Sequence, residues 1–105
     1  MAEDKTREIF NSALYQASNV VVSCDMAISS LLKRKYEELF KEDSSRKDLK
    51  ELITALKEKI KIPYEKEIRR IRALRNEYSH EYHQIDAKDV TFAIETAKRF
   101  IDEFN

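Results

Sequence analysis

Residues 10–39 read FNSALYQASNVVVSCDMAISSLLKRKYEEL, and the apolar spacing within them decides the fold class. Phe10, Leu14, Ala17, Val21, Cys24, Ile28 and Leu31 recur at alternating steps of four and three, and Leu32, Tyr36 and Leu39 extend the stripe. That is the period of one face of an α-helix. Neither Gly nor Pro nor a slip of phase interrupts it, so a single continuous helix is expected. No charge falls between Ile9 and Cys24, yet Asn11, Ser12, Gln16, Ser18, Asn19 and Ser23 interrupt the tract and Asp25 closes it. The tract is too polar for a membrane span, and the acidic residues ahead of it do not read as a signal sequence. Val20 to Val22 widen the apolar face beyond what one partner helix needs, which marks that stretch as a candidate subunit contact.

Outside this helix the composition is equally one-sided. With 105 residues and 42% apolar content, the chain has room for one domain with one modest core, which oligomerisation would help to complete. It contains no Gly and a single Pro, while Lys, Glu, Leu, Ala and Arg dominate. Left-handed turns are costly without glycine and helix is favoured, so the expected fold is all-α. Lys plus Arg and Asp plus Glu both number 20, so no global basic field attracts nucleic acid, and any such contact must come from a local patch. The lone Cys24 reads as a small buried hydrophobe in a reducing compartment, and a cytoplasmic location follows as the default.

Three further helices are expected. Ser45 to Asp48 has the capping-box pattern and opens a second helix carrying Leu49, Leu52, Ile53, Leu56 and Ile60. Pro63 starts a third, where its missing amide is not needed. Asp86 and Asp89 cap a fourth, with Val90, Ala93, Ile94, Ala97, Ile101 and Phe104 facing inward. The result is an antiparallel helical bundle of about four helices in which the first is about twice as long as any partner. Its overhang exposes apolar surface that a second copy of the chain would cover.

The third helix carries the chemistry. Ile68, Ile71, Leu74, Tyr78, Tyr82 and Ile85 form its inward stripe. At ~100° per residue, Asn76, His80 and His83 point away from that stripe, Arg69 and Arg72 share the outward sector, and Arg75 lies at the margin. Such a face serves solubility in most helices. His80 and His83 make a poor metal pair, since no Cys or third His accompanies them, and Cys24 and Ser79 lack the setting of a nucleophile. Neither a metal nor a cofactor is expected. What remains is acid–base work on a phosphate ester, for which an imidazole moves the proton and a forked guanidinium meets the charge developing on phosphoryl oxygens.

Arg75 and His80, separated by four residues with Asn76 directly after the arginine, form a pattern that resembles the signature of the HEPN family, small helical proteins of which many are metal-independent endoribonucleases. The lead-in IRRIRALRN and the trailing DAKDVTFAIETAKRFIDEF resemble that family's last two helices. The resemblance covers Leu49 to Phe104, and the first helix only by its helical character. It implies Arg75 and His80 as a catalytic pair, Asn76 as a polar companion, and a homodimer in which motifs from two protomers meet in a cleft that binds RNA. Arg72, Arg69 and His83, on the same face, would then bind substrate. Continuing to Tyr82, the pattern is similar to the toxin branch, in which a partner nucleotidyltransferase acts as antitoxin by adenylating the tyrosine. The long first helix and charged second helix depart from that branch, and the helical wheel gives Tyr82 a packing role. The alternatives are a noncatalytic HEPN binding module beside a nucleotidyltransferase, and a helical adaptor without a site.

Overall fold

The computed structural model describes the backbone of residues 2–80 and 86–104, and within it the side chains of residues 17, 19–77 and 86–104. The fold is an all-α bundle of four helices, α1 (Ala2–Phe40), α2 (Leu49–Lys57), α3 (Glu65–His80) and α4 (Ala87–Phe104). α1 is continuous over 39 residues, as its unbroken stripe requires. At ~1.5 Å per residue that length matches the 58 Å long axis of the molecule.

α1 is the common partner, since α2, α3 and α4 all pack on it. Arg72 reaches Ser29 while Arg75 reaches Asp25, so α3 runs antiparallel to α1. Lys35 lies over the Phe104 ring, and Ile101 shares a groove with Ala27 and Leu31, so α4 runs parallel to α1. The Tyr64 hydroxyl donates to Glu103 at 2.6 Å, closing the antiparallel α3/α4 pair. Ile28, Leu32, Leu52, Ile53, Leu56, Ile68, Ile71, Leu74 and Phe100 are fully buried at the centre. Among the described residues this core draws on α1 only from Val21 onward. α3 and α4, at 16 and 18 residues, are each less than half as long as the 39-residue α1.

The helix ends correct several expectations. Asp48, not Ser45, caps α2, its Oδ1 accepting the Glu51 amide at 2.8 Å. Ser45 turns back instead, its amide and hydroxyl both donating to Asp43. Pro63 does not open α3, because Tyr64 intervenes with φ of 59° and its carbonyl accepts the Ile68 amide. With no glycine available, Lys41 takes the other left-handed position, φ 57°, just past α1. Each costs roughly 1–2 kcal/mol relative to a right-handed residue. Asp86 does cap α4, its Oδ1 accepting the Lys88 amide at 2.9 Å.

Packing moves some residues off their expected faces. Ile94 and Ile101 are 47% and 36% exposed, while Phe100, absent from the expected stripe, is fully buried and stacks on Phe104 with centroids 4.7 Å apart. Adjacent helical positions differ by only ~100°, and the larger ring gains more from burial than the neighbouring isoleucine. Val21 is fully buried in the core of the chain itself, which leaves it no surface for the expected subunit contact, whereas Val20 and Val22 stay half-buried on its flanks. Phe100→Ala should cost about 3–5 kcal/mol by opening a cavity, and Ile101→Ala less than about 1 kcal/mol. Urea unfolding measures both, and equal losses would contradict this packing.

Candidate functional site

Between Ile9 and Leu32 the sole charged residue is Asp25, and it occupies a core position. Val21, Asp25, Ile28 and Leu32 succeed one another on the buried face, where the expected stripe had Cys24. Cys24 is half-buried beside them, and its partial burial raises the thiol above its ordinary pKa, which suits an unreactive packing role. Asp25 itself is 2% exposed. A carboxylate so far from water must be met by positive charge or by several donors.

α3 supplies both. Arg72 Nε donates to Asp25 Oδ1 and Arg75 Nη1 to Asp25 Oδ2, each at 2.9 Å. Arg72 Nη2 also donates to the Ser29 hydroxyl at 3.1 Å. Arg72 therefore does not stand in the outward sector. It lies over α1 with 27% of its side chain exposed, because the buried carboxylate outcompetes solvent for the guanidinium. Arg75 is at the margin as expected, 36% exposed. Both guanidiniums are thereby anchored on one carboxylate at the α1/α3 seam.

Arg69 and Asn76 are exposed, as their spacing implies. With Arg72 they line an open pocket of about 270 Å³ whose other wall is Asp48, Leu49 and Lys50 at the start of α2. Three of the expected substrate-binding side chains thus share one concavity, and Lys50 joins them. His80 is the last residue of α3, and its side chain lies outside the described residues, as do those of Tyr78 and Ser79. His83, Tyr82 and Ile85 also fall outside them. From Arg75 to His80 the helix advances ~7.5 Å toward the N-terminal half of α1. The motif therefore ends beside the stretch of α1 that precedes Asp25. Among the described residues no group of three His, Cys, Asp or Glu could hold a metal ion, and no helix is long and apolar enough to cross a membrane.

Comparison with protein-family models, characterised proteins and solved structures gives no match to this chain.

Arg72→Ala and Arg75→Ala should each cost only about 1–2 kcal/mol, since the other arginine still pairs with Asp25. The double variant should lose several kcal/mol beyond their sum, because it strands a buried carboxylate. Chemical denaturation of the four proteins in the cycle measures this coupling, and additive losses would mean that Asp25 does not bind both arginines.

Proposed function

We propose that this chain is a metal-independent endoribonuclease of the HEPN type, acting as a homodimer in the cytoplasm. The observation that carries the reading is the state of Arg75. The arginine of the Arg-x4-His motif is held by a buried carboxylate at 2.9 Å on a rigid helix, an arrangement suited to meeting charge on a phosphate. In this reading His80 moves the proton to or from the RNA, and the 2′-hydroxyl next to the scissile phosphate is the nucleophile. Arg72, Arg69 and Asn76, lining the pocket with Lys50, hold the flanking backbone, and His83 adds to the same face.

The second copy seats on the half-buried Val20 and Val22 beside the overhang of α1, which brings two motifs toward one cleft. Several arginines from two protomers would bind RNA despite a formal net charge of zero. A toxin or anti-phage role, with a nucleotidyltransferase antitoxin acting on Tyr82, belongs to the same reading. The open pocket of Arg69, Arg72, Asn76 and Lys50 also favours a second one, a noncatalytic HEPN module that binds nucleotide or RNA beside such a partner.

His80→Ala and Arg75→Ala should each slow RNA cleavage on the order of a hundredfold or more, with a melting curve separating rate loss from fold loss for Arg75. Arg69→Ala and His83→Ala should weaken RNA binding modestly and leave turnover largely intact. Full activity in His80→Ala would leave the binding module as the better reading. Light scattering should give a dimer at micromolar concentration and a shift toward monomer in Val22→Glu, because a carboxylate buried at the contact costs several kcal/mol. A stable wild-type monomer would remove the shared cleft.

A further inference from the structure

Asp25 is buried, lies on a different helix from the Arg-x4-His motif, and has no part in proton transfer or substrate contact. Its two oxygens are divided between the two arginines, one each at 2.9 Å. Ser29, one turn further along α1, takes a second donor of Arg72. An arginine on a helix surface carries large rotamer freedom, which is lost whenever it grips a phosphate. Here that freedom is already removed in the folded protein. The same carboxylate cancels one of two positive charges at the seam, which weakens attraction for a polyanion. Orientation is gained and binding strength is given up by one group.

We propose that Asp25 is a positioning residue that orients Arg75 and Arg72 for a phosphodiester and lowers the positive charge of the seam by one. It acts on RNA only through those arginines. Arg72 extends its influence to the pocket shared with Arg69, Asn76 and Lys50, where the RNA backbone leaves the reacting phosphate. The orienting half of this proposal rests on the ribonuclease reading, whereas the charge half stands for any single-stranded RNA bound at the seam.

The test is Asp25→Asn, which keeps the side chain's size but adds one positive charge to the seam and turns an amide donor toward one guanidinium. RNA binding should tighten several-fold at low salt, and the plot of log affinity against log salt should steepen by about 0.7. Single-turnover cleavage by the same variant should fall about tenfold to a hundredfold, since a displaced charge stabiliser is costly even at full saturation. Tighter binding with slower cleavage is the signature of positioning. Parallel loss of both in proportion to unfolded protein, or no change in either, overturns it.

If wild type binds RNA without cutting it, the ribonuclease reading fails separately, and the steeper salt slope alone supports or overturns the charge-setting role. Should Asp25→Asn not fold, ¹⁵N relaxation of the arginine Nε–H groups in the wild-type protein replaces it. Arg72 and Arg75 should be ordered on the fast timescale, with order parameters near 0.8, against values below about 0.6 for exposed Arg69 and Arg70. Equal mobility of all four would overturn the proposal.

Discussion

A carboxylate that is 2% exposed has to be neutralised where it stands, and Asp25 is neutralised by α3. That requirement sets the register of α3 on α1, since only an alignment that brings Arg72 and Arg75 beside Asp25 satisfies both oxygens. Apolar packing of Ile68, Ile71 and Leu74 drives the two helices together, but hydrophobic contact is non-directional and tolerates sliding. The ion pairs do not. Buried pairs add little net stability against an apolar equivalent because of their desolvation cost, and fixing one arrangement is the role such a pair fills best. The same contact draws Arg72 over α1 and ties Arg75 to the same carboxylate.

The rest of the bundle is organised around α1. α2, α3 and α4 all pack on it, and among the described residues its core positions begin at Val21, one turn before Asp25. The C-terminal end of α3 points toward the stretch of α1 before Asp25.

Much of the fold was legible in the sequence. A stripe repeated through ten apolar positions of α1 leaves no other regular structure, and an acid ahead of a periodic run located the start of α4. Residues next to each other on a stripe were harder to separate. Cys24 and Asp25, like Phe100 and Ile101, are adjacent positions near the same edge, and hydrophobicity chose Cys24 although a tertiary partner selected Asp25. That partner lies 47 and 50 residues away, beyond any local pattern. A signal was present nonetheless: one lone acid in an otherwise uncharged helical run, with an arginine-rich helix elsewhere to answer it. Reading the arginines as a solvated face concealed it, because a helical wheel scores polarity without asking what a buried acid requires.

In the proposed reading, two arginines fixed by one carboxylate, followed along the same helix by a histidine, do electrostatic and acid–base work. The most direct measurement is the identity of the ends left on RNA incubated with the wild-type protein in excess chelator. A 2′,3′-cyclic phosphate on one fragment and a 5′-hydroxyl on the other, with cleavage undiminished by the chelator, is the outcome required of 2′-hydroxyl attack assisted by Arg75 and His80. Fragments with 5′-phosphate ends, or cleavage abolished by the chelator, would contradict it.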